Sequence, residues 1–150
     1  MKRKGFSMIE VILVLALLAI FFAFSALYYQ TSQVRADINS QAELIANELR
    51  LLRSNAETGN MNGQTAVKFE ESAYTTFFPP DYDPEDPSNR RMELSPTIKI
   101  ENKIFNDSED TVIFERPHGN TRNFGSFDLR SDQINRTITI QINELGAIDY

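Results

Sequence analysis

The chain has no cysteine, no tryptophan and a single histidine among its 150 residues. Without cysteine no disulfide can form, and the zinc sites built on thiolates are excluded. His118 stands between Pro117 and Gly119 with no second histidine anywhere in the sequence. We therefore read it as a turn residue and predict no metal site.

Sequence motifs typical of catalysis are also missing. There is no glycine-rich phosphate loop, no HExxH helix, and no serine with a base at recognisable spacing. These absences predict that the protein is not an enzyme, with no catalytic residue and no cofactor. The net charge of −6 argues against nucleic acid as a partner. Four arginines of the C-terminal third could form a basic strip, but acidic residues interleave with them, which favours a mixed, solvated surface: Arg116, Arg122, Arg130 and Arg136.

Two further absences define the N-terminal third. Residues 11–29 carry no charge, which predicts a membrane span, and neither glycine nor proline occurs between Phe6 and Thr58. After the span, apolar residues recur at intervals of three and four, as in one stripe of a helix: Val34, Ile38, Ala42, Ile45, Leu49, Leu52 and Ala56. The sequence thus predicts one helix of about 50 residues, about 75 Å long, that ends near Gly59.

Charges on either side of the span predict its orientation. Lys2, Arg3 and Lys4 precede it, whereas Asp37 and Glu43 follow it, so the positive-inside rule places the N-terminus in the cytoplasm. Glu10 lies at the rim of the apolar segment, where an ionised carboxylate is costly and marks a functional site.

The residues around Glu10 carry a resemblance to a known family. The stretch Lys4-Gly5-Phe6-Ser7-Met8-Ile9-Glu10 resembles the leader junction of type IV prepilins and type II secretion pseudopilins. The resemblance implies that a prepilin peptidase cleaves between Gly5 and Phe6 and methylates the new amino group of Phe6. We expect Glu10 to neutralise that amino group on a neighbouring subunit during filament assembly.

Other readings of this segment stay open. A secretory signal peptide has an apolar region of only about 7 to 15 residues followed by a small-residue cleavage site, which here could only be residues 23–26. A plain signal anchor is also possible. Ser7 and Glu10 have the spacing of a capping box, and Glu10 could instead pair with the amine of its own chain.

Beyond Gly63 the pattern changes to short strands. The runs at residues 65–70, 74–78, 97–101, 111–115, 126–130 and 137–143 predict an antiparallel sheet. Residues 79–91 are rich in proline and acid and predict an exposed loop. Its alternating carboxylates offer calcium as a weaker alternative, since the glycine and terminal glutamate of an EF-hand are missing. The fold class expected is α+β, a long helix packed on a small antiparallel sheet domain, as in pilins.

The order of these parts is similar to that of GspH/FimT-type minor pseudopilins. The supporting residues are Val112-Ile113-Phe114, the turn at His118-Gly119-Asn120, Gly125-Ser126-Phe127-Asp128-Leu129, and the closing strand that ends at Gly146. DNA-binding members of that group place arginines beside this last glycine. Here Ala147, Ile148 and Asp149 follow it, which argues against DNA uptake by this surface.

Together these observations predict four segments: a leader at 1–5, the transmembrane half of the helix at 6–33, its amphipathic half at 34–58, and a β-rich head at 59–150. The expected function is a minor pilin or pseudopilin, incorporated at or near the tip of a type IV pilus or type II secretion pseudopilus. Its expected partners are the prepilin peptidase, other pilins, an inner-membrane assembly platform and, before assembly, membrane lipid. The expected location is the cytoplasmic membrane, single-pass with the head outside, and then the extracytoplasmic filament. The alternative is a monomeric, membrane-anchored protein whose outer domain binds a ligand.

Overall fold

The computed structural model describes residues 7–60, 62–107 and 109–150, with the side chains of residues 23–30 excepted. The chain divides into two compact units, Met1–Gln33 and Val34–Tyr150, which are described separately below. Over the described residues, one helix is followed by eight strands.

Helix α1 runs from Met8–Thr58, so the prediction of one long uninterrupted helix is confirmed. Its end is closed by Gly59, whose φ of 65° lies in the left-handed region. The Gly59 N–H donates to the Ala56 carbonyl (3.3 Å) and the Asn60 N–H to the Asn55 carbonyl (3.1 Å). These two bonds form a Schellman motif, which satisfies carbonyls that the helix leaves free.

The second unit contains all eight strands, arranged in two antiparallel sheets. One sheet has the order β3-β2-β1-β5 and the other the order β4-β6-β7-β8. The strands are β1 Ala66–Phe69, β2 Ala73–Phe77, β3 Arg90–Glu93, β4 Lys99–Phe105, β5 Thr111–Ile113, β6 Gly125–Ser131, β7 Arg136–Ile142 and β8 Ile148–Asp149. The expected α+β class is confirmed, with the antiparallel strands divided between two sheets.

One hydrophobic core joins the amphipathic half of α1 to both sheets. The helix contributes the stripe that the sequence predicted, of which Ile38, Ile45 and Leu49 are at most 1% exposed. Both sheets contribute aromatic rings, and the centroids of Phe69 in β1 and Phe127 in β6 are 4.4 Å apart. Since burying each such side chain stabilises a fold by about 1.5–3 kcal/mol, this core is the main source of the stability of the unit.

The structure corrects the prediction for residues 79–91. Their end, Arg90 and Arg91, belongs to edge strand β3, which the sequence analysis missed together with the two-residue strand β8. Strand β3 lacks the apolar alternation of a half-buried strand, because Met92 is its only apolar residue. Charged side chains are common on edge strands because they discourage further strand pairing.

The remainder of this segment lies against one sheet. Lys68 and Phe77 share a face, because Ala66 pairs with Phe77 across β1 and β2. Tyr82 contacts both residues: its ring centroid is 5.2 Å from that of Phe77, and the Lys68 Nζ lies 4.2 Å from it. Tyr82 of the loop therefore lies on the face of the sheet opposite the main core.

Candidate functional site

The predicted processing residues Gly5 and Phe6 lie outside the described part of the chain. The first described residue is Ser7, whose carbonyl accepts hydrogen bonds from the N–H groups of Glu10 (3.0 Å) and Val11 (3.2 Å). Glu10 thus lies in the first turn of α1, where a negative charge interacts favourably with the positive end of the helix dipole. In the described residues there is no side-chain hydrogen bond between Ser7 and Glu10, so the capping box is not formed.

The turns that follow Glu10 expose their apolar side chains. Twelve large apolar residues from Met8 to Phe22, ten of them after Glu10, are each at least 47% exposed, and Met8 is the most exposed of them at 81%. Within the described residues, no helix is both long and apolar enough to cross a membrane. The side chains of residues 23–30, which fall within the expected span, are not among those described.

The surroundings of Glu10 give its carboxylate a distinct chemical setting. It is exposed, and so are its apolar neighbours Ile9 and Val11. When an apolar phase covers this segment, water is removed from the carboxylate as well. A cationic group would then interact with it much more strongly than in bulk water, since Coulomb energies scale inversely with the effective dielectric constant.

The acidic loop uses its carboxylates for its own turns. The Asp83 Oδ1 accepts the Glu85 N–H (3.0 Å), and the Asp86 Oδ1 accepts both the Ser88 hydroxyl (2.7 Å) and the Ser88 N–H (2.8 Å). These two bonds from Ser88, the hydroxyl first, lower the pKa of Asp86. Across the described residues, no group of three or more histidine or carboxylate side chains is placed to hold a metal ion.

Two glycines bring the C-terminal segment against the turn that contains His118. Gly119 and Gly146 both have φ near 70°, at 67° and 73°. A Cβ on Gly146 would lie 2.0 Å from the Gly119 carbonyl oxygen, a distance that no side chain can occupy. The Thr121 N–H also donates to the Glu144 carbonyl (3.1 Å). Two of the glycines that carry the GspH/FimT resemblance, Gly119 and Gly146, therefore meet in space.

The C-terminal arginines each have local partners. Arg122 pairs with Glu115 (2.9 Å) and Arg130 with Asp132 (2.9 Å). Arg136 donates to the Asn39 Oδ1 (2.9 Å), and Arg116 to the Asn60 carbonyl (3.2 Å). Since their charges face acids, carbonyls or amides of the same chain, these residues form the mixed surface that the sequence favoured.

Sequence analysis missed a groove beside the C-terminal part of α1. It has a volume of about 320 Å³ and is lined by residues of the helix, of the segment after it, and of both ends of the loop between β2 and β3. Among them are Glu48, Asn55, Phe78 and Arg90. Because these residues are up to 42 positions apart, no local motif could have revealed the groove.

Comparison with known proteins identifies the N-terminal segment. A family model described as the prokaryotic N-terminal methylation motif matches residues 1–26. This motif is the prepilin signal of type IV pilins and pseudopilins, so the resemblance read from residues 4–10 is confirmed at that level. The N-terminal segment thus carries the signal of a type IV pilin-like prepilin, and proteins that carry this signal are typically structural. No curated protein and no solved structure matches the chain.

Proposed function

We propose that this protein is a minor pilin or pseudopilin, a structural subunit and not an enzyme. A prepilin peptidase cleaves it between Gly5 and Phe6 and methylates Phe6, and an inner-membrane assembly platform then adds it to a filament of other pilins. The filament is a type IV pilus or a type II secretion pseudopilus. The observation that carries this proposal is the methylation motif at residues 1–26.

Before assembly, residues 6–33 hold the chain in the cytoplasmic membrane, with the N-terminus in the cytoplasm and the head outside. Two observations support this location: the basic residues before the apolar segment, and the exposure of twelve large apolar side chains between Met8 and Phe22. A position at or near the tip follows from the resemblance of the C-terminal third to GspH/FimT-type minor pseudopilins.

Glu10 is the proposed assembly contact. Cleavage after Gly5 creates a cationic amine on Phe6, and in the filament the Glu10 carboxylate of a neighbouring subunit neutralises it. Removing one member of a desolvated ion pair leaves an uncompensated charge, which typically costs about 3–5 kcal/mol. The pair would therefore select the register in which each new subunit joins.

Mass spectrometry of the membrane-extracted protein tests the processing step. We expect a mature chain that begins at Phe6 and carries one added methyl group. A chain that retains Met1 to Gly5 in cells with an active prepilin peptidase would overturn the proposal and would favour a monomeric, membrane-anchored protein.

Substitution of Glu10 tests the assembly step separately. Glu10→Ala should leave cleavage intact but reduce incorporation into sheared filaments by about a hundredfold, as expected for a loss of about 3 kcal/mol. Glu43→Ala is the matched control, because it removes an exposed carboxylate from the same helix. Incorporation is measured by immunoblot as the ratio of filament protein to membrane protein. Equal incorporation of both variants would refute the role of Glu10.

A further inference from the structure

The groove beside α1 contains a carboxylate with few partners. The Glu48 side chain is only 18% exposed, and among the described residues its one ionic neighbour is the Arg90 Nη1 at 3.7 Å. That distance is too long for a hydrogen bond. A carboxylate can accept about four hydrogen bonds, so Glu48 presents unused acceptor capacity to the groove.

An amide extends this polar wall. Asn55 lies seven residues after Glu48, hence on the same side of the helix, and its Nδ2 donates to the Gln64 carbonyl (3.1 Å). Its Oδ1 accepts no hydrogen bond from the residues described. A Cβ on Gly63 would lie 2.7 Å from the Asn55 Cγ, so the absence of a side chain at Gly63 leaves room for this amide.

Donors and apolar surface complete the groove. The Arg90 guanidinium is 62% exposed, and the exposed Asn62 side chain also lines the groove. Phe78 and Leu51 contribute partly exposed apolar surface, at 37% and 48%. A second groove of about 460 Å³ shares Gly63 and Phe78 with the first, so Phe78 lies where the two grooves adjoin.

This combination specifies the chemistry of a ligand. Glu48 and Arg90 have opposite charges, which favours a neutral ligand over a strongly charged one. The groove is lined by both acceptors and donors, and the Arg90 Nη1 lies 3.7 Å from the Glu48 carboxylate, which suits hydroxyl groups because each can both donate and accept. The exposed ring of Phe78 offers a flat apolar surface to C–H groups. Pockets of this kind fix orientation with a few polar groups and gain affinity from apolar contact.

We propose that this groove binds a neutral saccharide, with one sugar ring against Phe78 and its hydroxyls on Glu48, Asn55 and Arg90. The site is distinct from the N-terminal signal, and the adjoining second groove allows a further sugar unit on the other side of Phe78. The proposal does not depend on the filament in which the subunit stands.

The test is a nuclear magnetic resonance titration of the isotope-labelled full chain in a detergent without a sugar headgroup. The probes are cellobiose, maltose, lactose and N,N′-diacetylchitobiose, with n-butylamine as a cationic comparison. We expect at least one disaccharide to shift amide signals of residues that line the groove. Glu48→Gln should weaken that binding about fivefold, the difference between a charged and a neutral acceptor, and Phe78→Ala about tenfold.

Matched controls separate the groove from general effects. Glu43→Gln changes a carboxylate on the same helix outside this groove, and Phe124→Ala removes a ring that is 36% exposed, close to the 37% of Phe78. Both should leave binding unchanged. If Phe78→Ala perturbs signals throughout the head, Phe78→Leu takes its place.

Three results would overturn the proposal. They are no shift with any of the four disaccharides, shifts that neither groove variant weakens, and shifts in these signals with n-butylamine alone.

Discussion

Alanine substitutions at three glycines should destabilise the head to different degrees, although the three share one backbone conformation. Gly59, Gly119 and Gly146 have φ values of 65°, 67° and 73°. Alanine in the left-handed region costs about 1–2 kcal/mol, and this term is common to all three. The gain from restricting the unfolded chain is also common, so only the space for Cβ differs.

That space decides the order of the effects. At Gly59 a Cβ meets nothing within 4 Å, so the backbone strain of about 1–2 kcal/mol is the only steric cost. At Gly119 it meets side-chain atoms of Arg53 and Glu57, which can move. At Gly146 it would lie 2.0 Å from the Gly119 carbonyl oxygen, and backbone must shift. Overpacking adds about 1–3 kcal/mol, so Gly146→Ala should cost about 2–5 kcal/mol.

Thermal unfolding of the full chain in detergent checks this order. Near-ultraviolet circular dichroism follows the packing of aromatic side chains, and the absence of tryptophan leaves tyrosine as its main source. At about 4 °C per kcal/mol, Gly59→Ala should lower Tm by about 4–8 °C and Gly146→Ala by about 8–20 °C. Equal losses at the two positions would show that the C-terminal segment does not approach the His118 turn as described.

Two further perturbations test the head. Asn123 is 7% exposed, accepts a hydrogen bond from the Asp107 N–H (2.8 Å) and donates to two backbone carbonyls (2.7 and 2.9 Å). Asn123→Ala should therefore cost about 3 kcal/mol of stability and speed hydrogen exchange at the Asp107 amide. The control Asn106→Ala should not speed this exchange. Burial, and then the Glu48 carboxylate, raises the pKa of Tyr74 to about 12. The raised pKa means that the folded protein favours the neutral phenol of Tyr74. The contribution of this phenol to folding stability is therefore complete below about pH 10 and is lost as the pH rises towards about 12. Tyr74→Phe should flatten that alkaline loss in denaturation profiles, and an unchanged profile would contradict the assignment.

The parts of the fold that the sequence predicted are those with a strong local period. The helix followed from apolar residues three and four positions apart and from the Gly59 stop, and β7 from the alternation of Ile138, Ile140 and Ile142. Strand β3 could not be predicted in this way, because edge pairing through backbone atoms places little demand on side chains. The division into two sheets was likewise invisible, since it depends on which distant strands pair.

The leader signal and the groove beside α1 differ in the same way: the first is a local sequence pattern, whereas the second depends on long-range packing. A leader signal is a short linear segment, so the resemblance could be read from the order of residues 4–10 alone, and the family match over residues 1–26 confirms that resemblance. The groove is assembled from Glu48, Asn62, Phe78 and Arg90 only after the helix and the β2–β3 connection have packed together. Its chemistry is a property of tertiary structure.

The exposed N-terminal segment clarifies what Glu10 must contribute under the proposed function. Burying twelve large apolar side chains at about 1.5–3 kcal/mol each would stabilise the segment by about 20 kcal/mol or more relative to water. Lipid tails and a filament interior provide that stabilisation alike, because lipid is as apolar as a leucine side chain. The apolar term would therefore favour removal of residues 8–22 from water but would give no preference for filament over membrane. Under the proposed function, a charge pair between Glu10 and a neighbour's Phe6 amine would exist only in the filament, and this difference would let one carboxylate direct the assembly of so apolar a helix.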